Sequence, residues 1–428
     1  MRGQTRQGLR SPGRQQGTRR RALPAAAAVA IGVMTLGALA PPAASAARPD
    51  TVQQSLNALV RDDGMPAALA SVQDRNGRIR TYTAGVGDLT TGSKVPRDGQ
   101  VRIGSNTKTF VAVVVLQLVA ERRVNLDASV DTYLPGLVRG KGIDGRRITV
   151  RQLLQHTSGL PNYSNHLGDD VRYYTPRELL ATALQHPADF APGTSWKYSN
   201  TNYVLAGLIV QKVTGRPLAE EIDRRVVRRA GLRHTDFPAP GDASIREPHP
   251  HGYYRESADV PLRDITEIDP SWGWAAGQMV STGSDLNRFF TALLAGHLLP
   301  SAQLAQMRST VPAEATFGPG ARYGLGLVSR PLPCGGLSWG HGGSFPGYET
   351  RGGATDDGRA TNVAVTMQLT DEAGRRNLER AVDTSLCRCT SASGRAANAA
   401  PCTTATTTQH VTSSSKDAES SPPDGWRR

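Results

Sequence analysis

Short apolar runs alternate with turn residues from Met65 to Gly104, as in Ala67-Ala68-Leu69-Ala70-Ser71-Val72 and Arg80-Thr81-Tyr82-Thr83-Ala84-Gly85-Val86. Runs of that length bounded by turn residues predict antiparallel strands, and Val101-Arg102-Ile103-Gly104 continues the style. The pattern then changes. Thr109 to Ala120 is almost unbroken apolar sequence rich in Val, which predicts a helix without a polar face, buried in the middle of the domain. Two more helices are signalled by Thr175-Pro176-Arg177-Glu178, an N-cap with Pro in the first turn, and by Tyr203 to Val213, ending at Thr214-Gly215. Strands return at Tyr323–Ser329, Leu337–Gly340 and Asn362–Leu369, and a last helix is predicted around Arg375–Leu386. Strands, then helices, then strands predict a mixed α/β (α+β) architecture with a helical insertion over roughly 125–270. No internal repeat or Pro/Ser linker divides the region from 50 to 387, so one composite domain over 47–388 is expected.

The ends of the 428-residue chain differ from this middle. Residues 1–47 hold seven arginines and no acidic residue, so of the formal charge of +13 a surplus of only six belongs to the rest. Without Lys/Arg clusters interleaved with aromatics, that surplus gives nucleic-acid binding no support. The Arg-rich start, the apolar stretch Ala22 to Ala40, and the small-residue site Ala44-Ser45-Ala46 have the layout of a secretory signal peptide over 1–46. Thr18-Arg19-Arg20 before Leu23 adds a faint twin-arginine character. The alternative is an uncleaved anchor, against which stand Pro24, the Ala-rich composition and the cleavage pattern. A secreted product without a stable membrane anchor is expected. With no heptad seam or exposed apolar helix, it is expected to be a monomer. From residue 389 the Ser/Thr/Ala-rich text lacks large apolar residues and predicts a disordered tail. Export permits disulfides. Cys334, Cys387, Cys389 and Cys402 suit no zinc site by spacing, and a bridge from Cys334 to Cys387 or Cys389 is expected.

Gly104-Ser105-Asn106-Thr107-Lys108 lies where the strand style gives way to the buried helix, which puts Ser105 in the first turn and Lys108 one turn later on the same face. A serine beside a lysine at a helix start is a candidate nucleophile: Lys108 can take its proton, and the free N–H groups stabilise an oxyanion. An ordinary N-cap serine with a solvated lysine is the plain alternative. In Tyr198-Ser199-Asn200 the phenol is a candidate acid/base and the carboxamide can hold a substrate amide or Lys108; an aromatic turn packed on Trp196 is the plain reading. Gly340-His341-Gly342-Gly343-Ser344 has little bulk, so a ligand could lie along it as an added strand, with the Ser344 and Ser105 N–H groups as oxyanion hole; a glycine-rich hairpin is the alternative.

The three motifs in this order resemble the serine β-lactamase and penicillin-binding protein superfamily. The nearest likeness is to secreted serine D-alanyl-D-alanine carboxypeptidases and class C β-lactamases. It runs through Ser105-Asn106-Thr107-Lys108, Leu153-Leu154-Gln155-His156-Thr157-Ser158-Gly159-Leu160, Tyr198-Ser199-Asn200, Trp272, Ala275-Ala276-Gly277, Tyr323-Gly324-Leu325-Gly326-Leu327 and His341 to Cys387. The resemblance implies Ser105 as acylated nucleophile, Lys108 as its proton partner, Tyr198 as general acid/base, Asn200 as substrate contact, His341 in the third-motif role and Trp272 as pocket wall. It also implies a Cys334–Cys387 disulfide, no metal or other cofactor, and a β-lactamase/transpeptidase-like fold: an antiparallel sheet flanked by helices with an all-helical subdomain. The implied reaction is acyl-enzyme hydrolysis of a peptidoglycan stem peptide ending in D-alanyl-D-alanine, with β-lactams acylating the same serine.

The carboxypeptidases hold the terminal carboxylate with threonines flanking the third-motif glycine and an arginine after the Tyr-Gly-Leu-Gly-Leu run. Here Gly342, Ser344 and Val328 stand in those places. Ser344 keeps a hydroxyl, and Arg330, two residues past Val328, is the expected replacement cation. Without such a clamp the expectation moves from carboxypeptidase to a β-lactamase, D-aminopeptidase, amidase or esterase of the same superfamily. A binding protein that is acylated without turnover is the third possibility.

Overall fold

The structure, a computed structural model, describes residues 50–168, 172–257, 259–369 and 371–388. The leader over 1–46 and the tail over 389–428, with Cys389 and Cys402, lie outside them. The main sheet contains ten strands: β1 (Ala67–Gln73), β2 (Ile79–Asp88), β3 (Ser93–Lys94), β4 (Val311–Pro312), β5 (Arg322–Tyr323), β6 (Val328–Pro331), β7 (Leu337–Gly340), β8 (Gly343–Phe345), β9 (Tyr348–Ala354) and β10 (Ala360–Val365). Their order is β4-β5-β6-β7-β9-β10-β1-β2-β3, antiparallel throughout, with β8 added beside β9. N-terminal and C-terminal strands therefore meet at the β1–β10 pair, where Ala68 faces Val365 and Gln73 faces Ala360.

The alternation of side chains along β1 splits the apolar residues between two layers. Ala68 and Ala70 join Val363 and Val365 beneath two terminal helices, α1 (Thr51–Arg61) and the C-terminal helix α7 (Glu372–Leu386), which contribute Val52, Leu56, Leu378 and Val382. The other face carries the larger core, built around α2 (Thr107–Ala120). Every residue from Thr107 to Leu118 is buried, as a helix lacking a polar face requires. Around it lie α3 (Val150–Gln155), α4 (Pro176–Leu184), α5 (Thr201–Thr214) and α6 (Gly283–Leu294). Phe110 stacks on Phe289 of α6 with centroids 3.8 Å apart.

Local signals set the ends of these helices. Thr175 and Glu178 form a reciprocal capping box at α4, and α5 stops at Gly215 in the left-handed region. Between 125 and 270 the described residues form helices, turns and two short hairpins. Val101–Arg102 pairs with Val280–Ser281 outside the main sheet. The expected continuous strand Tyr323–Ser329 is broken: Gly324 to Leu327 leave the sheet, Gly326 N–H donates to the Leu154 carbonyl, and the Gly326 carbonyl accepts from Thr109 Oγ1 at 2.7 Å. At φ +76° Gly326 approaches α2 so closely that a Cβ there would meet Ala112 Cβ and the Tyr203 hydroxyl at 2.6 Å. An apolar run with glycines at alternate positions reads as a strand, and only packing reveals the loop. Cys334 is bonded to Cys387, tying the β6–β7 turn to the end of α7.

Candidate active site

Ser105 sits in a 3-10 turn, Gly104–Asn106, that runs directly into α2. Lys108 follows one turn later, and its Nζ lies 2.9 Å from Ser105 Oγ, 2.7 Å from Asn200 Oδ1 and 2.8 Å from the Ala276 carbonyl. The amine is fully buried, and loss of solvent holds it well below the usual lysine range, favouring the neutral form. A neutral amine has two N–H donors and one lone pair. Asn200 Oδ1 and the Ala276 carbonyl can only accept, so they take the two donors and leave the lone pair for the Ser105 hydroxyl.

The sequence around Tyr198 is held by its backbone. Ser199 N–H donates to His156 Nδ1 at 3.2 Å, Asn200 N–H donates to Asn162 Oδ1 at 3.0 Å, and Asn200 Nδ2 donates to Ser164 Oγ at 3.1 Å. These bonds fix Asn200 with its carboxamide oxygen toward Lys108. The Tyr198 ring centroid lies 4.8 Å from Lys108 Nζ, with Ser105 near enough to act on the phenol. Burial raises the phenol above its ordinary value against the opposing influence of Ser105 and Arg351, so it remains protonated. Ser105 Oγ is in contact with the Lys108 amine, and the Tyr198 ring lies beside that amine.

A second chain of hydrogen bonds assigns the histidine tautomers. His156 Nδ1 accepts from the Ser199 amide and from Asn202 Nδ2, so its proton is on Nε2, 3.2 Å from the Tyr323 hydroxyl. Tyr323 in turn donates to His341 Nε2 at 3.1 Å, and His341 Nδ1–H donates to the Gly342 carbonyl at 2.5 Å. Both imidazoles are neutral: burial, the largest cause, lowers each, and His341 is brought down to about 3. The third motif thus carries no positive charge of its own near neutral pH. His156 and Tyr323 belong to motifs visible in the sequence, but nothing in those strings reveals that they meet.

β8 lies against the nucleophile turn. A Cβ at Gly343 would stand 1.9 Å from the Ile103 carbonyl and 2.9 Å from the Ser105 nitrogen, so only glycine permits the approach. Gly104 is as close to the Ser344 backbone, with a built Cβ 2.9 Å from the Ser344 nitrogen. The two amides expected to form the oxyanion hole are neighbours. Trp272 stacks on Phe345 with centroids 5.1 Å apart, and its carbonyl accepts from the Tyr163 hydroxyl at 2.6 Å.

The structure brings together Ser105, Lys108, Tyr198, Asn200, His341 and Ser344, with Trp272 behind Phe345. It does not bring Arg330 to them. That guanidinium turns to α7, 3.1 Å from Glu379 and 4.0 Å from Asp383, and the expectation of a carboxylate clamp at Arg330 is corrected accordingly. Strand periodicity gave its face but could not show two carboxylates waiting there. Among the described residues no cluster of His, Cys, Asp or Glu is placed to hold a metal.

The family model described as Beta-lactamase matches residues 52–385. Esterase EstB of Burkholderia gladioli is 31% identical over 357 residues, covering 72% of this chain and 89% of that protein. The putative penicillin-binding protein PbpX of Bacillus subtilis is 27% identical over 247 residues, 58% of this chain and 56% of that one. Among solved structures, a D-stereospecific amidohydrolase from Streptomyces sp. superposes with a TM-score of 0.72 at 39% identity, covering 79% of this chain and 99% of that one. D-amino acid amidase from Ochrobactrum anthropi SV3, complexed with L-phenylalanine amide, gives 0.70 at 27% identity over 78% and 96%. With its antiparallel sheet, its helical layers and a family match over most of its length, the chain belongs to the β-lactamase family of serine-hydrolase folds.

Proposed function

We propose that the protein is an exported, monomeric serine hydrolase that cleaves amide bonds of D-aminoacyl compounds, and esters of the same acids, through an acyl-enzyme on Ser105. One observation carries this reading: the buried Lys108 amine, with its two donors committed to Asn200 and Ala276, directs its lone pair at Ser105 Oγ, and the Tyr198 ring lies 4.8 Å from that amine. Lys108 takes the Ser105 proton as Oγ attacks the carbonyl carbon, and the N–H groups of Ser105 and Ser344 receive the oxyanion. The proton returns through the Tyr198 hydroxyl to the leaving nitrogen or oxygen. Water then enters by the same route, giving its proton to Lys108 and its oxygen to the acyl carbon, and Ser105 is restored.

The D-aminoacyl preference is supported by the likeness to a D-stereospecific amidohydrolase and a D-amino acid amidase, and ester cleavage by the likeness to an esterase. The D-alanyl-D-alanine carboxypeptidase expected from the motifs loses ground because Gly342, Ser344 and Val328 replace its carboxylate-binding residues and Arg330 is engaged elsewhere. The signal-like leader supports export. The test compares D-phenylalanine amide, L-phenylalanine amide and a diacetyl-Lys-D-Ala-D-Ala peptide with wild-type protein and Ser105→Ala. Ammonia released from the D-amide well above the L-amide, and lost in the variant, is expected. Release of D-alanine without amide turnover would return the protein to the carboxypeptidases.

A further inference from the structure

A cavity of about 460 Å³ lies where α2 ends, lined by Gln117, Glu121, Arg224, Arg225 and Arg229. Its size is that of a small-ligand site, and Leu299 and Pro300 give it an apolar wall. Gln117 stands nine residues beyond Lys108, about 14 Å along the helix axis, so the cavity is separate from the Ser105 site. The arginines come from one helical stretch, Leu218 to Ala230, which widens into a π turn at Asp223–Val227. Such turns are rare and recur at functional sites.

The two walls differ in what they leave unused. Arg225 is the inner cation, its side chain 8% exposed, and each of its nitrogens is engaged: Nε with Glu221, Nη1 and Nη2 with the two oxygens of Glu121 at 2.5 and 3.1 Å. Arg224 spends Nη2 on Glu221 and keeps Nε and Nη1. Arg229 is exposed and has no partner among the described residues. Three arginines against Glu121 and Glu221 leave one positive charge over, which Arg229 carries; two guanidiniums with free donors suit a carboxylate. Acceptors are left on the α2 side. Gln117 is 6% exposed and spends Nε2 on the Arg225 and Leu298 carbonyls at 3.2 and 2.9 Å, so Oε1 is the polar atom it leaves to the cavity, without a donor among the described residues. Glu121, one turn later on the same face, is 41% exposed and keeps a lone pair on each oxygen, at the negative end of the helix. An anion alone would leave these acceptors unpaired.

We propose that this cavity is a second binding site, for a free α-amino acid with an apolar side chain. Arg224 and Arg229 hold its carboxylate, Gln117 Oε1 and Glu121 its ammonium group, and Leu299 and Pro300 its side chain. The assignment goes beyond the D-aminoacyl hydrolase reading and does not depend on it, although that reaction releases a compound of this class.

The test is calorimetric titration of the intact protein with D- and L-phenylalanine in phosphate-free buffer. Binding of at least one enantiomer is expected, weakened about tenfold or more in Arg229→Gln and in Glu121→Gln, as loss of a charge-assisted bond does. Arg229 is exposed and unpartnered, so its variant should keep the wild-type Tm, and it leaves any amino acid bound beside Ser105 in place. 3-Phenylpropionate, phenethylamine and inorganic phosphate each carry one sign of charge only, and each should bind at least about tenfold more weakly than phenylalanine. No binding of either enantiomer, or wild-type affinity in either variant, overturns the proposal. So does 3-phenylpropionate, phenethylamine or phosphate binding as tightly as phenylalanine, since the cavity would then be selecting a single charge.

Discussion

At the scale of single residues, the chemistry turns on one lysine whose surroundings decide its charge. Burial favours the neutral amine, so with Lys108 as the proposed base the activity should persist as pH drops past the ordinary value of 10.5 and fall only at a value well below it. A kcat/KM profile should therefore show its lysine limb displaced toward acid, well below 10.5. Lys108→Ala should lower it by at least about a thousandfold, as removal of a proton acceptor coupled to a nucleophile does. A limb near the ordinary lysine value would show that the amine stays charged.

Ser105, Lys108, Tyr198, Asn200 and His341 were legible in the sequence because each lies in a short motif at a helix start or in a glycine-rich strand. Arg330 marks the limit. It lies on a strand near the motif, and whether it reaches the site depends on partners from another element: Glu379 on α7 draws it away. Tyr323 was visible only as part of a motif, yet it joins two imidazoles. Tyr323→Phe leaves His156 Nε2–H and His341 Nε2 unpaired, and thermal or urea unfolding should register a loss of about 1–3 kcal/mol. An unchanged midpoint would contradict the assigned tautomers.

At the scale of elements, α2 and β8 act as a pair. The apolar sequence of α2 forces it to the centre, which carries Lys108 out of solvent, and β8 then closes on its first turn. Gly343→Ala should push β8 away from Ser105 and separate the two oxyanion amides, with kcat reduced more than KM is raised, because the loss falls on the transition state. Equal kcat in the variant would mean that the strand can shift without cost. α2, the capping box of α4 and the glycine stop of α5 were predictable from local rules. The loop at Gly324 to Leu327 was not, since its cause is contact with α2. The disulfide closes a loop with a sequence separation of 53 residues, for which restriction of the unfolded chain gives about 4 kcal/mol. The double variant Cys334→Ser/Cys387→Ser should lose stability of that order in denaturant titration, and retention of the wild-type midpoint would show the bridge to be dispensable.

At the scale of the whole molecule, the order of strands and helices along the chain predicted a mixed sandwich, whereas the strand order β7-β9-β10-β1 is set by tertiary pairing that no local pattern encodes. Stability against acid is a property of the whole fold, because two buried neutral imidazoles must charge when it opens. Unfolded histidines titrate near 6.5, while burial lowers His156 and brings His341 to about 3. Between those values the unfolded chain binds more protons. Stability is thus full above about pH 6.5 and falls as pH drops, by about 1.4 kcal/mol per pH unit for each histidine. Tm should decline from pH 6.5 to 4, with a shallower slope in His341→Asn; a Tm independent of pH over that range would contradict the buried neutral state.

The central claim, that Ser105 carries the acyl group of a D-aminoacyl substrate, is tested most directly by trapping the intermediate. Wild-type protein is quenched in acid during turnover of a D-phenylalanine ester and analysed by intact mass and peptide mapping. The account predicts one phenylalanyl increment, located on the peptide containing Ser105, stronger with the D-ester than the L-ester and absent in Ser105→Ala. An increment on another residue, or full turnover by Ser105→Ala, would contradict it.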